Sequence, residues 1–482
     1  MVLRNGWELV VGLEVHCELA TRTKIFCSCA NVFGDEPNTN ICPVCLGLPG
    51  SLPVLNRCAV EFAMRIGAAL QCRVEPSIFH RKNYFYPDMP KDYQVSQYDE
   101  PINVDGFLEL ADGFRVGIER AHMEEDTGKT QHMGTSGRIH GADYSLVDYN
   151  RAGVPLVEIV TRPDIRTPEQ AKAYVVELRS ILVATGASDG KMEEGSLRVD
   201  ANVSVRKPGE EYGTRCEIKN LNSLRSLTRA IEYEASRQID LLEAGERIIQ
   251  ETRHWNEADG RTSSMRSKEE AMDYRYFPEP DLVPLAPGAE WVAAVRSALP
   301  PMPADRRRLL SEATGGELSP GSDPIITIIG QGLDHLVLGA IARGADARRA
   351  VNRVANEVAT AEAAARLDLD GFATLLGMEA NGSLTSTQAK AVLMEMLDTG
   401  GADPAAIAAA RGFEAMDSSA AGSIVDRLIV AHPAEFERLK AGDAKVSGFF
   451  VGAARIASGG KADGKLITKL LRQRAGLDTA QT

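Results

Sequence analysis

Leu13-Glu14-Val15-His16-Cys17-Glu18-Leu19 alternates strictly between apolar and polar side chains. A period of two is that of a β-strand, so Glu14, His16 and Glu18 share one face and Leu13, Val15, Cys17 and Leu19 the other. Two carboxylates around an imidazole are costly to bury unless something binds there. The chain continues into Cys27-Ser28-Cys29 and, after twelve intervening residues, Cys42-Pro43-Val44-Cys45. Two close cysteine pairs across a short loop match the closed, tetrahedral, four-cysteine pattern of structural zinc. The reading is an acid–histidine strand that leads into a zinc-stapled loop.

The same alternation returns twice. Phe114, Val116 and Ile118 lead on one face to Arg120, His122, Glu124 and Asp126, which taken alone reads first as a solvated strand end and alternatively as a strand running from a core into a cleft, with Glu125 on the opposite face if the strand stays regular. Between Leu197 and Val205, Arg198, Asp200, Asn202 and Ser204 share a face, and the chain returns through Arg215-Cys216-Glu217-Ile218-Lys219. That hairpin gathers Arg, Asp, Asn, Glu and Lys on its polar side. A wetted sheet face favours interchangeable Lys, Glu and Thr, whereas this mixture resembles a site for phosphate and Mg²⁺. His80-Arg81-Lys82-Asn83-Tyr84-Phe85-Tyr86-Pro87 reads either as a packed hairpin or as a stacking surface beside cationic phosphate contacts.

Helices are predicted between these strands. Asn56 caps one with Val60, Ala63, Ile66 and Leu70 on its apolar face. Thr167-Pro168-Glu169-Gln170 starts a second as a capping box, and it stops at Gly186. Asn222 to Ala244 is a third, ended by Gly245. Prolines then crowd positions 278 to 303, where a domain boundary is placed. Beyond it, Ala-rich segments of helical spacing replace strand signals. The expected class is therefore α+β, with an N-terminal antiparallel-sheet cradle with helices followed by an all-α domain and a small all-α tail. The expected divisions are 1–293, 294–405 and 406–482.

The chain has 482 residues, 44% hydrophobic and 25% charged, which is ordinary for a soluble globular protein of several domains. No apolar run approaches a membrane span, and the N-terminus shows no signal-peptide pattern. The other four cysteines are scattered, so a reduced, cytoplasmic setting is expected rather than a disulfide framework. The net charge of −13 excludes a protein coated in nucleic-acid-binding charge. The last 42 residues run against it, with seven Lys or Arg and three Asp, which points to an anionic partner for the tail. There is no evident Gly-rich phosphate loop, Ser-Lys amidase set or nucleophilic Cys-His arrangement.

Taken together, the motifs resemble the GatB family, the B subunits of the tRNA-dependent amidotransferases. The matching stretches are Val11 to His16, Leu48-Pro49-Gly50 with Leu52 to Asn56, Arg81 to Asp88, His122 to Asp126, Lys191 to Arg198, Glu217 to Asn222 and Asp273 to Asp281. They cover roughly the first 290 residues; the tail matches more loosely, and Gly459-Gly460-Lys461-Ala462-Asp463-Gly464 departs from the commoner Gly-Lys-Ala-Asn-Pro pattern.

The resemblance implies a ligase component that binds misacylated Glu-tRNA(Gln) or Asp-tRNA(Asn) and phosphorylates the side-chain carboxylate with ATP. Ammonia released from glutamine by an A subunit, an amidase acting as glutaminase, then displaces the phosphate, while a small C subunit clamps the heterotrimer. It further implies that Glu14, His16 and Glu125, with Glu124 nearby, form a Mg²⁺ cluster. Mg²⁺ prefers oxygen donors, so His16 is either a ligand or a group that orients water or substrate. Lys82, Arg198 and Lys219 are the implied cations for ATP or acyl-phosphate charge; Asp200, Asn202 and Glu217 would bind metal or nucleotide. Cys27, Cys29, Cys42 and Cys45 look like the zinc-containing branch of the family. Lys461, Lys465 and Lys469 would hold the tRNA body. The competing expectation is a non-catalytic, zinc-stapled tRNA-binding scaffold with the chemistry done elsewhere.

Overall fold

The protein is described by a computed structural model, and the structure describes residues 3–134, 142–267, 274–358, 361–400, 403–413, 418–443, 445–458, 462 and 464–477. The chain divides into two compact units, Met1–Pro303 and Ala304–Thr482.

The alternating stretch forms the central strand of the first unit. Its strands are β1 (Glu8–Glu18), β2 (Arg73–Val74), β3 (Ile78–Asn83), β4 (Tyr93–Glu100), β5 (Asn103–Glu109), β6 (Arg115–Glu125), β7 (Lys129–Gly134), β8 (Ala142–Asp148), β9 (Pro155–Thr161), β10 (Leu197–Arg206), β11 (Cys216–Lys219), β12 (Glu251–Asn256), β13 (Arg261–Ser267) and β14 (Phe277–Pro278). Among the described residues, twelve of these make one mostly antiparallel sheet in the order β13-β12-β11-β10-β1-β9-β6-β4-β3-β14, with β5 on β6 and β2 on β5. β7 and β8 pair separately, and β11 with β12 is a parallel pair.

Helices α1 (Arg57–Ala69), α2 (Pro168–Ala184), α3 (Leu224–Glu243) and α4 (Ala289–Ser297) complete the unit. Leu13, Val15 and Cys17 of β1, Val199 and Val203 of β10 and Ile159 of β9 are buried in one core with Val60 and Ile66 of α1, Val175 and Leu178 of α2, and Leu227 and Ile231 of α3. Each aliphatic side chain among them contributes about 1.5–3 kcal/mol when fully buried. The apolar face of β1 is thus covered, and its polar face is left for a cleft.

Local chemistry sets the helix starts. Asn56 accepts from the Cys58 amide at 2.9 Å and Thr167 from the Gln170 amide at 3.0 Å. The Gln170 side chain does not close the expected capping box: it accepts from the Arg166 amide at 2.9 Å, one residue before the cap. α3 begins two residues later than expected, because Ser223 is its cap and accepts from Ser226.

β6 departs from the regular alternation. Its register against β9 slips between Ile118 and Arg120, and the buried core positions switch from Val116 and Ile118 to Ala121 and Met123. A bulge inserts one residue and re-aims the side chains after it. His122 and Glu124 therefore do not share the face of Val116 and Ile118, as strict alternation predicts. The bulge turns both away from the apolar core, which brings Glu124 to the cavity lining and leaves His122 buried behind it against Glu124 and Glu158.

Among the described residues of the second unit every regular element is a helix. Helices from Pro303–Ala313 to Pro404–Ala410 enclose a core that includes Ile328, Val337, Val351, Phe372 and Leu393. Helices from Ser418–Ala431 to Gly464–Ala475 enclose a smaller one around Val425, Phe450, Ile467 and Leu471. Among the described residues no single helix is long and apolar enough to cross a membrane.

Candidate active site and metal centre

Strand register carries the cleft residues into rows. His16 pairs with Arg198 on β10 and with Glu158 on β9, and Glu158 pairs with His122 on β6. Across the next row Glu14 lies opposite Asp200. Neighbouring strands lie about 4.8 Å apart, so residues in one row can meet through their side chains.

They do meet. The Nε2 of His122 is 3.1 Å from Glu124 and 3.3 Å from Glu158, and the Nε2 of His16 is 3.9 Å from the same Glu158 carboxylate. Gln94 and Ser96 donate to Glu124 at 3.2 and 2.8 Å. On the other side, Asn202 donates to Glu14 at 2.9 Å, and Lys219 lies 2.8 Å from both Asp200 and Glu217. Arg198 meets Asp126 at 2.7 Å, and Arg151 reaches the same carboxylate at 3.4 Å.

Two adjoining cavities of about 1410 and 640 Å³ open over these rows, and His16, Lys82, Tyr84, Gln94 and Lys219 line both. The larger is also lined by Glu124, Arg198 and Asp200, the smaller by Glu14, Glu158, Asn202 and Glu217. Glu125 alone among the anticipated cleft residues lies elsewhere. It is 2% exposed, sits 2.5 and 2.7 Å from the Lys91 ammonium, and accepts the Val95 amide at 2.8 Å. The strand parity that brings Glu124 to the cleft sends Glu125 to the other face.

The electrostatics follow from burial and pairing. Burial would push the fully enclosed His122 down, but Glu158 and Glu124 outweigh it and hold the imidazole up at about 9. Against the same burial cost, His122 holds Glu158 well below the usual carboxylate range. Burial raises Glu14, with Glu158 and Glu217 adding to it. Burial and the nearby Asp126 push Glu18 up to about 8. Burial would lower Lys219, but Asp200 and Glu217 hold it well above the usual lysine value. Such a mixture of displaced carboxylates and fixed cations in one cleft makes it a candidate functional site.

One atom each from His16, Glu124 and Glu158 lies within 4.8 Å of the others. Opposed oxygen ligands of Mg²⁺ span about 4 Å, so the two carboxylates suit that ion with small adjustments. The four cysteine sulfurs also lie within 4.8 Å of one another, and Cys45 is 3.5, 3.7 and 3.8 Å from Cys27, Cys42 and Cys29. A tetrahedron with sulfur at about 2.3 Å from zinc has S–S edges of about 3.8 Å, so this set fits a closed zinc site. The Cys45 thiol is drawn down to about 4, chiefly by the hydrogen bond from Cys27 and, against burial, with help from Lys24.

Glu158, Arg151 and Asp126 line the cleft without having been singled out as site residues, and the fully buried His122 backs it through Glu158 and Glu124. Glu158 had a signal: it is the lone charge in the buried run Pro155-Leu156-Val157-Glu158-Ile159-Val160-Thr161. In the tail, Lys469 is exposed on the last helix, while Lys461 and the side chain of Lys465 lie outside the described residues, as does Asp273.

A family model described as the GatB/GatE catalytic domain matches residues 9–293, and one described as the GatB domain matches residues 335–474. The chain is 50% identical over 489 residues to the B subunit of the aspartyl/glutamyl-tRNA(Asn/Gln) amidotransferase of Salinispora tropica, covering 98% of this chain and 97% of that protein. It is 48% identical over 482 residues to the protein of the same name from Moorella thermoacetica, covering 97% and 99%. The rows of paired charge on β1, β6, β9 and β10 lie inside the first matched region, and the chain belongs to the GatB family, the B subunits of the tRNA-dependent amidotransferases.

Proposed function

We propose that this protein performs the activating step of an ATP- and glutamine-dependent amidation on misacylated Glu-tRNA(Gln), Asp-tRNA(Asn) or both. A carboxylate is a poor electrophile because oxide is a poor leaving group. One carboxylate oxygen attacks the γ-phosphorus of ATP and ADP leaves. Ammonia then adds to the acyl carbon, and inorganic phosphate leaves with that oxygen. Phosphoryl transfer needs positioning and charge stabilisation more than covalent catalysis, which is what this cleft offers.

The observation that carries the reading is the row His16–Glu158–His122 with Glu124, facing the cations Lys82, Arg198 and Lys219 across one pair of cavities. Glu124 and Glu158 would hold Mg²⁺ with Glu14 close by and His16 as ligand or water-orienting group, and the ion would offset phosphate charge. Lys82 and Lys219 bind phosphate oxygens, with Asp200 and Glu217 fixing the Lys219 ammonium and Asn202 fixing Glu14. Arg198 and Arg151, held by Asp126, would meet the aminoacyl end of the tRNA. Glu125 acts at one remove: it anchors Lys91 and the β4 backbone beside Gln94, which donates to Glu124. Zinc in the four-cysteine site is structural, since four thiolates leave no open position.

The chain itself has no evident nucleophile for glutamine hydrolysis, so ammonia comes from a glutaminase partner, the A subunit, with a small C subunit completing a heterotrimer in the cytoplasm. Residues 1–293 act as the catalytic cradle, 294–405 as a helical domain and 406–482 as a tRNA-binding tail that includes Lys461, Lys465 and Lys469. The test is ADP formation by the complex without an ammonia source. ADP that appears only with a misacylated tRNA supports the reading; tight tRNA binding with no ADP assigns a scaffold role to this chain.

A further inference from the structure

Lys24 is the only fully buried lysine among the described residues. Its stem runs under Gly153, where a Cβ would lie 3.6 Å from the Lys24 Cδ. Its ammonium reaches the Cys45 sulfur at 3.6 Å and the Tyr149 carbonyl at 3.3 Å. Among the described residues no carboxylate lies within ion-pair distance of it. A buried ammonium needs a compensating charge, and a zinc tetrathiolate carries a net charge of about −2, from four thiolates and one Zn²⁺. Nothing in the amidation mechanism uses this lysine.

Its second partner leads to the cleft. The Tyr149 amide donates to Asn38 at 2.8 Å and the Tyr149 hydroxyl to the Pro87 carbonyl at 2.7 Å. Asn150 accepts from the Asn40 amide at 2.8 Å and donates to the Glu36 carbonyl at 2.7 Å. The segment between the two cysteine pairs therefore clamps residues 148–150, and the next residue, Arg151, lines the larger cavity and contacts Asp126.

We propose that Lys24 is a positioning residue that fastens the thiolate cluster to the cleft wall, tying retention of zinc to the placement of Arg151 for the aminoacyl-tRNA. The proposal rests on the zinc and tRNA readings of the proposed function. Groups that hydrogen-bond to metal ligands typically change metal affinity by about 10–100-fold when removed.

The test uses the complex with its A and C subunits, carrying wild-type chain, Lys24→Met or Arg151→Ala. Zinc loss to a colorimetric chelator is followed, together with KM and kcat for the misacylated tRNA. Lys24→Met is expected to release zinc about tenfold faster or more and to raise KM with kcat nearly unchanged. Arg151→Ala is expected to raise KM while releasing zinc at the wild-type rate. Wild-type rates and KM in Lys24→Met overturn the proposal. A wild-type complex that contains no zinc overturns the zinc reading itself, and the proposal with it. Should Lys24→Met not fold, stripping zinc from the wild-type complex serves: KM rising to the Arg151→Ala level supports the link, and an unchanged KM overturns it.

Discussion

Glu158 and His122 face each other directly across β9 and β6, with the imidazole Nε2 3.3 Å from the carboxylate. The same carboxylate lies 3.9 Å from His16 on β1, so three strands converge on one acidic group. Glu158, rather than Glu125, is the carboxylate that shares the cleft with His16 and Glu124.

Glu158→Gln removes one charge from the proposed metal pair while keeping the side chain's size. ADP formation on misacylated tRNA should fall by about two orders of magnitude, the scale of losing one electrostatic interaction with a transferring group. Glutamine hydrolysis by the A subunit, assayed in the same preparation, should remain. Near-wild-type ADP formation would remove Glu158 from the machinery.

Glu125→Gln should act through stability. It leaves the largely enclosed Lys91 ammonium without its carboxylate, a loss on the order of 3 kcal/mol for breaking one side of a pair whose carboxylate is buried. The urea midpoint should drop accordingly, with the slope unchanged. A variant as stable as wild type, yet inactive, would place Glu125 among the reacting groups instead.

The pH dependence of folding reports on His122. Its folded value of about 9 is above the unfolded 6.5. The stability it contributes is therefore fully present below about pH 6.5 and is lost as pH rises through about 9. The shift corresponds to about 3 kcal/mol. Denaturation without added magnesium should show wild-type stability falling across that window and a flatter curve for His122→Gln. Parallel curves would contradict the pairing.

Neutralising Lys461, Lys465 and Lys469 to Gln should weaken tRNA binding. The slope of log K against log salt should fall by up to about 2–3, or about 0.7–0.9 for each phosphate no longer neutralised. An unchanged slope would place the tRNA body elsewhere.

Much of this architecture is legible in the sequence because one residue period decides it. Strict alternation in β1, β10 and β11 decides which of Glu14, His16, Arg198, Asp200, Asn202, Glu217 and Lys219 face the same way, and two of the helices that cover the other face show clear caps at Asn56 and Thr167. The cysteine spacing carries its own chemistry. Three things were not legible. The bulge near Glu119 changes the phase of β6, and no local residue announces it. Glu158 sits in a strand that reads as pure core, and only its isolated charge hints otherwise. Lys24 looks like any lysine until the fold encloses it between the Cys45 sulfur and the Tyr149 carbonyl.

The most direct test of carboxylate activation follows an oxygen atom. The complex is given ATP, glutamine and a tRNA whose misacylated side-chain carboxylate carries oxygen-18, and the inorganic phosphate is analysed by mass. If the carboxylate is phosphorylated before ammonia attacks, one labelled oxygen appears in phosphate for each amide formed. Amide formed alongside unlabelled phosphate would contradict the account, because the carboxylate oxygen would then have left by another route.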